Sequence, residues 1–452
     1  MSVLINFESI PPNKRQQLAN HLYVEPIVKQ QFNPVTKRME KQKSNVAGIE
    51  AFDIIDTLDK DKHVCLPLSY YKYYLWDIPS LTTYKTENRD SSSLKFNGNL
   101  LDRQKDIRED TFDILNRSNS VLLCLHTGFG KTIYTLYLLS KIKQKAIILC
   151  HRKIIMDQWC KSIDKYLPNA TYETLETKRG KPKDTTDILI CNVINVPKWQ
   201  RDAFMDFGVC VVDEVHTICT EQFSKCLTML FPDYLIGLSA TPYRSDGMDR
   251  LLELYIGPEV VVKPMWRVFN AYKFKTGFTP EVEYQSDGKV NWNSVLESQA
   301  ADPDRNDQIV NLTRWFKKKT ILILVKRKDH ALRLKRMILQ RYPDEDVGVF
   351  MGTDKEVDFD SRILIATYSK GGVGFDHPRL DTLITAADVE ENFMQYLGRV
   401  FRRDDVVPIY IDMVDDNSIC ARHHTSRKKI VESVGGTMID FARVFKMFSK
   451  VK

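Results

Sequence analysis

Residues Leu125 to Thr132 read LHTGFGKT, at the end of the apolar run SVLLCLH and the start of the helix-length segment KTIYTLYLLSKI. That order places two glycines, a lysine and a threonine on a strand-to-helix turn. There the N–H groups of the turn and the N-terminus of the helix converge on one point, which makes a cradle for an anion. Gly128 and Gly130 supply the backbone freedom that aims amides at oxygens, Lys131 is long enough to reach the β- and γ-phosphates of ATP, and the Thr132 hydroxyl is a Mg²⁺ ligand. Leu125 stands where phosphate loops usually have their first glycine; at a strand end that glycine matters less than those at 128 and 130. Leu125, His126, Thr127, Gly128, Phe129, Gly130, Lys131 and Thr132 are therefore the candidate nucleotide-binding residues. A tight turn that holds Gly-Lys-Thr by chance is the competing account, and the strand-loop-helix context weakens it.

Hydrolysis of a bound nucleotide needs a carboxylate to hold the metal ion and a base to activate water. The stretch GVCVVDEVH, Gly208 to His216, ends an apolar run in two acids. Asp213 is the candidate to hold Mg²⁺ through water, and Glu214 to orient and deprotonate the attacking water. An Asp-Glu pair after a strand is by itself more often an acid pair at a helix N-terminus. Beside a phosphate loop it points to ATP hydrolysis.

These residues need a scaffold that presents them together. From about Leu100 to Val262 the runs SVLLCLH, KAIILCH, DILICNV, VCVVDE and YLIGLSAT alternate with helix-length segments. Continuous apolar runs of this length are strands buried on both faces, and such spacing implies a parallel sheet with crossover helices. Ligands of these sheets bind beyond the carboxyl ends of the strands. After Trp266 a second series, TILILVKR, VGVFMG, RILIATYS, DTLITA and VPIYIDMV, repeats the signature. Thr276 to Ser294, rich in Pro, Gly and Asp, is expected to be an irregular insertion or a hairpin. The expected class is α/β, two tandem parallel-sheet domains with a small N-terminal extension and a short C-terminal one: an accessory region over 1–95, a first domain over 96–262 and a second over 263–452. The polar stretch Thr86 to Ser93 reads as a linker. The cluster CLPLSYYKYYLW, Cys65 to Trp76, is either a base-stacking surface or the core of a small module, and the core reading is favoured.

Composition narrows the class. With 452 residues, 43% hydrophobic and 28% charged, the chain is too long for one core. No segment reaches the ~18 apolar residues of a spanning helix, so no membrane association is expected. The start lacks a secretory signal, and nine cysteines without a C-x-x-C pair suit an intracellular, reducing compartment. The 66 basic against 59 acidic residues leave a net charge of +7, compatible with a polyanionic partner but uninformative alone.

Taken in order, LHTGFGKT, DEVH, LSATPYRSDG (Leu238 to Gly247) and QYLGRVFRR (Gln395 to Arg403) resemble the motifs of superfamily 2 DEAD/DEAH-like helicases. The resemblance covers about residues 100 to 410. It is strongest to the XPB-like group, and within it to the helicases of large DNA viruses such as the poxvirus transcript-release helicases. It implies two RecA-like domains. By the same resemblance Gln104 reads adenine; His216, Ser239, Ala240, Thr241, Gly374 and Asp376 couple hydrolysis to movement; and Gln395, Arg399 and Arg402 face ATP from the second domain, where an arginine stabilises transition-state charge. The stretches CHRKIIMDQW, LICNVINV, LILVKRKDHA and ATYSKGGVGFD resemble motifs Ia, Ib, IV and V, and Arg152, Lys326, Thr367 and Ser369 in them are candidate phosphate contacts to one nucleic-acid strand. Two departures stand out. The motif V stretch is looser than usual, and Arg244-Ser245-Asp246 replaces the Arg-Glu-Asp of cellular relatives.

The expected activity is that of an ATP-dependent helicase or translocase using Mg²⁺, acting on DNA in the 3′ to 5′ direction, with RNA and RNA–DNA hybrid as alternative substrates. A transcription release or processing factor that remodels a complex without extended unwinding, and so contacts transcription proteins, remains the alternative. The basic stretch HHTSRKKIVESVGG and the tail after it are either a DNA- or partner-binding extension or a solvated amphipathic helix packed on the second domain.

Overall fold

The structure is a computed structural model. It describes residues 1–26, 30–33, 38–41, 48–56, 62–79, 89–175, 181–218, 220, 224–240, 247–285, 290–352, 354, 360–372, 377–403 and 405–443. The chain divides into two compact units, Met1–Lys263 and Pro264–Lys452.

The first unit opens with strand β1 (Ser2–Asn6) and helix α1 (Pro12–Leu22), followed by β2 (Asp53–Asp56), β3 (Lys62–Pro67) and helix α2 (Leu68–Tyr74). β1, β3 and β2 form an antiparallel sheet in that order. Its apolar face merges with the core of the domain that follows. Met1, Val3, Ile5 and Leu66 belong to one buried cluster with Leu122, Ile147, Val212 and Leu235. Polar contacts tie the same junction: Arg201 pairs with Asp53 at 2.6 Å and the Tyr255 hydroxyl donates to the Ala51 carbonyl at 3.1 Å. The aromatic cluster divides between two environments. Leu68, Tyr70 and Leu75 are buried, whereas Tyr73, Tyr74 and Trp76 face solvent.

The parallel sheet of this unit contains β4 (Ser120–Leu125), β5 (Ala146–Cys150), β6 (Tyr172–Leu175), β7 (Ile188–Asn192), β8 (Val209–Asp213), β9 (Tyr234–Ser239) and β10 (Val260–Lys263). Their order is β6-β7-β5-β8-β9-β4-β10, parallel throughout. Every residue of β4 and β5 is buried, as a sheet covered on both faces requires. Helices α3 (Lys131–Ile142) and α4 (Lys153–Tyr166) follow β4 and β5. Of the stretch expected to be a linker, 86–88 lie outside the described residues, and the rest is not a free tether. Arg89 is 5% exposed, ion-paired with Asp233 at 2.9 Å, and its carbonyl accepts from the Lys145 N–H at 2.6 Å. A buried guanidinium has to be paired, and that pairing fixes the segment to the sheet.

The second unit repeats the architecture with β11 (Phe269–Lys275), β12 (Ile321–Val325), β13 (Val347–Phe350), β14 (Ile363–Thr367), β15 (Thr382–Thr385), β16 (Ile409–Val414) and β17 (Gly436–Asp440). The order is β13-β14-β12-β15-β16-β11-β17, again all parallel. Helices α5 (Trp292–Ala301), α6 (Pro303–Trp315), α7 (Lys328–Arg341), α8 (Phe393–Leu397) and α9 (Ser418–Ser433) accompany it. The expected insertion is a short antiparallel hairpin pairing Glu283–Tyr284 with Val290–Asn291. Helix α9, the basic stretch, packs on this sheet with His423, His424 and Arg427 buried, and the tail from 444 on lies outside the described residues. Among the described residues no helix is long and apolar enough to cross a membrane.

Candidate active site

The strand order explains how distant motifs meet. β4, β9 and β8 are neighbours, with Ser239 level with Cys124 and Asp213 level with Leu238. At ~4.8 Å per strand, the phosphate loop after β4 and the acids after β8 stand two strands apart on the same carboxyl edge.

The loop itself is held open by its glycines. Gly128 has φ +88° and Gly130 +92°, in the left-handed region that side chains disfavour. A Cβ on Gly128 would meet nothing within 4 Å, so the constraint there is conformational. On Gly130 it would come within 2.6 Å of Gln104 Nε2. Phe129 anchors the loop in the core, 1% exposed, with the His126 ring edge-on at 5.5 Å. Burial lowers the His126 pKa. Lys131 begins α3 and its Nζ donates back across the loop to the Leu125 carbonyl at 3.0 Å, while Thr132 follows in the first turn. Gln104, 1% exposed, donates to the Phe129 and Gly130 carbonyls at 3.3 and 3.2 Å, and its Oε1 accepts from the Leu101 N–H at 2.9 Å.

At the end of β8 the two carboxylates are set apart by environment. Asp213 Oδ2 accepts from the Trp159 indole N–H at 2.9 Å and Oδ1 from the Glu214 N–H at 2.9 Å. Burial first, and the adjacent Glu214 carboxylate second, push the Asp213 carboxyl up to about 6, against the pull of Trp159 and Lys131. Glu214 has φ +50°, a strained backbone for a non-glycine residue and one that clusters at functional sites. Its Oε2 is buried with no hydrogen-bond partner, 3.7 Å from His216 Nδ1. His216 Nδ1 also lies 3.0 Å from Ser239 Oγ, which links the ends of β8 and β9. Ala240 follows Ser239 at the surface, half-exposed.

This donor set fits Mg²⁺-ATP. Two neighbouring carboxylates, one raised in pKa and the other with an unpartnered buried oxygen, call for a cation. Mg²⁺ suits such a pair, because it is bound by one or two carboxylates, water and substrate phosphates rather than an all-protein cage.

The comparisons with known proteins agree with this architecture. The model of the family described as "Type III restriction enzyme, res subunit" matches residues 97–244. A protein of Invertebrate iridescent virus 6 named as a helicase, 161L, is 35% identical over 399 residues, covering 83% of this chain and 89% of its own. The chain belongs to the superfamily 2 helicases, related to those of large DNA viruses. A protein of Frog virus 3 named as a helicase, 055L, is 29% identical over 74% of this chain and 78% of its own. The African swine fever virus protein QP509L, named as an ATP-dependent RNA helicase, is 24% identical and covers 68% of each chain. Among solved structures, S. cerevisiae Dbp5 bound to RNA and ADP BeF3 covers 78% of this chain and 97% of its own with a TM-score of 0.55 at 15% identity, a likeness of fold.

Placed on the helicase fold, the remaining candidates fall at strand ends and in α8. Arg152 is exposed after β5, at the N-cap position of α4 but without a capping bond from its side chain. Lys326 is exposed after β12; Thr367, 5% exposed, ends β14 with its Oγ1 3.2 Å from the Oγ of the exposed Ser369. Gln395 and Arg399 are buried in and just after α8, and Arg402 is half-buried. Thr241, Gly374 and Asp376 lie outside the described residues. Two residues at the site were not singled out in the sequence. Trp159 ends the stretch that resembles motif Ia, and its part at the site appears only because Asp213 is its neighbour in space. Arg103 reads as a surface cation, yet it donates to the Gly128 carbonyl at 3.1 Å and lies over the Phe129 ring, 5.9 Å from its centroid.

Proposed function

We propose that this helicase is a nucleic-acid-stimulated ATPase that moves 3′ to 5′ along DNA and separates or remodels strands. The observation that carries the ATPase part is the pairing, on one sheet edge, of a loop with two left-handed glycines and the strained Asp213-Glu214 pair. Thr132 and Asp213 hold the metal ion, the latter through water; bound Mg²⁺ supplies charge that offsets the phosphate oxygens. Lys131 leaves the Leu125 carbonyl for the phosphates. Glu214 accepts the proton of the attacking water, and the His216–Ser239 bond carries the change to β9 and the Ala240-Thr241 segment. Gln104 keeps a lone pair on Oε1 for the adenine amino group. Gln395, Arg399 and Arg402 complete hydrolysis, Gly374 and Asp376 belong to its coupling, and Arg152, Lys326, Thr367 and Ser369 grip phosphates without reading bases. The buried thiols support a reducing intracellular compartment. DNA is the first choice because the relatives above include proteins of DNA viruses; the RNA in the name of one relative makes RNA the second.

ATPase rates measured side by side with single-stranded DNA, duplex DNA and RNA test the reading. Single-stranded DNA is expected to raise the rate ~10-fold or more, because ordering by the polymer favours the hydrolysis-competent state. Stimulation by RNA alone would reassign the substrate, and no stimulation by any of the three would remove the motor reading. Strand displacement without an effect on stalled transcription complexes separates unwinding from transcript release.

Trp159 enters through Asp213. Trp159→Phe keeps an aromatic ring in the core but loses the N–H and part of the indole's volume, so Asp213 is less firmly aimed. The Mg²⁺ needed for half-maximal binding of a fluorescent ATP analogue is expected to rise about 10-fold, the lower end of the cost of losing a partner behind a metal ligand. An unchanged Mg²⁺ dependence would make Trp159 a packing residue only.

A further inference from the structure

Between β15 and α8 the chain runs through Ala386–Asn392, outside any strand or helix. This segment leads directly into Gln395, Arg399 and Arg402, and side chains from three helices hold it. Asp388 Oδ1 accepts from Arg427 Nη1 at 2.9 Å, and its Oδ2 bonds His423 Nδ1. Arg427 also donates to the Val389 carbonyl, and its Nε and Nη2 reach Asp412 at 3.0 and 2.8 Å. His424 Nδ1 lies 2.7 Å from the other oxygen of Asp412. His423 Nε2 is 3.1 Å from Glu390 and its ring stacks on Trp292 at 5.2 Å. From the opposite side, Arg305 donates to the Ala386 carbonyl at 2.6 Å and to Asp415 at 2.8 Å. Gln299 accepts from the Asp388 N–H at 3.2 Å and donates to Asp415 at 2.6 Å.

Arg427 and Arg305 are each 1% exposed, and Asp412 and Asp415 are 0% and 2%. Burying that many charges is no more stabilising than apolar packing of the same volume. What such a lattice does supply is a single geometry: Arg427 on α9 spans Asp388, the Val389 carbonyl and Asp412, and Asp415 joins Arg305 on α6 to Gln299 on α5, so the segment cannot shift without breaking several charge-assisted bonds. The segment fixed in this way is the one that carries the arginines.

We infer that Asp388 and Arg427 are positioning residues, which lock the approach to α8 so that Gln395, Arg399 and Arg402 are presented in one orientation. The inference rests on the reading of those three residues as serving ATP hydrolysis. It also gives the His-His-Thr-Ser-Arg stretch of α9 a role: His423, His424 and Arg427 face the interior, whereas Thr425 between them and the flanking Arg422, Lys428 and Lys429 face solvent.

The test uses the full chain with Asp388→Asn and Arg427→Lys, the second keeping the charge but losing the fork that spans Asp388 and Asp412. Amide hydrogen exchange is followed in peptides covering 393–403 and in β12 and β14, alongside kcat and KM for ATP at saturating nucleic acid. Exchange over 393–403 is expected to accelerate ~10-fold or more with the two strands unchanged, since local openings are independent of the global one. The kcat is expected to fall by up to ~10²-fold with KM little altered, the loss that about 1 Å of misplacement produces. Unchanged exchange over 393–403, or acceleration spread equally over β12 and β14, overturns the positioning role. Faster local exchange with an unaltered kcat upholds the positioning and overturns the reading of Gln395, Arg399 and Arg402. Should Asp388→Asn fail to fold, His423→Phe keeps the stack on Trp292, loses the bond to Asp388 and carries the same readouts.

Discussion

Lys131→Ala is expected to reduce ATP hydrolysis by ~10³-fold or more while the protein stays folded. Electrostatic stabilisation of a transferring phosphoryl group is the largest single contribution of such a site, and Lys131 is the cation that begins α3 at the end of the loop. The side chain is not a core packing group: it is half-exposed, and among the described residues its Nζ donates to the Leu125 carbonyl. Removing a cation from the first turn of α3 is even mildly favourable, by about 0.3–1 kcal/mol, because the helix N-terminus is itself positive. ATPase assays at saturating nucleic acid, paired with a thermal melt by circular dichroism, measure both halves. A folded variant with most of its activity left would sink the phosphate-loop assignment.

Glu214→Gln should separate binding from chemistry. The amide is nearly isosteric and leaves Asp213 with its bonds from Trp159 and the 214 N–H, so nucleotide binding persists. It cannot accept the proton of water, and turnover is expected to fall ~10²- to 10⁴-fold, the usual contribution of a general base. The variant should also hold nucleic acid more tightly in ATP than without it, because the complex cannot advance. Rapid quench of a single turnover and filter binding of Mg²⁺-ATP check this. Loss of nucleotide binding would show that Glu214 has been given the wrong part.

The candidate site and the two sheets are legible in the sequence for the same reason: their signals are local. A buried parallel strand is a continuous apolar run, and the loop and acids follow such runs within a few residues. What failed to show in the sequence depends on partners far along the chain. His423 and Arg427 meet Asp388 across 35 and 39 positions, and without that carboxylate a run of His, Arg and Lys reads as a solvated face. Trp159 meets Asp213 across 54 positions. The N-terminal sheet was hidden because its apolar residues complete a core begun by a later domain. β6, β11 and β17 escaped because the strands there are mixed in polarity: Tyr172–Leu175 is buried only at Leu175, and Gly436–Asp440 has no fully buried residue.

The closing strand of the first unit has a mechanical consequence. β10 pairs with β4 from Val260 opposite Leu122 to Lys263 opposite Leu125, and the Lys263 carbonyl accepts the His126 N–H at 3.3 Å. The second unit begins at Pro264, one residue beyond β10, the neighbour of the strand β4 that leads into the phosphate loop. Whatever reaches this unit through Pro264 enters at β10, whose four pairings run alongside the stem of the phosphate loop. The last of these hydrogen bonds, from the His126 N–H to the Lys263 carbonyl, ends on the residue where the loop starts, so the end of the first unit and the start of the nucleotide loop are one continuous piece of sheet.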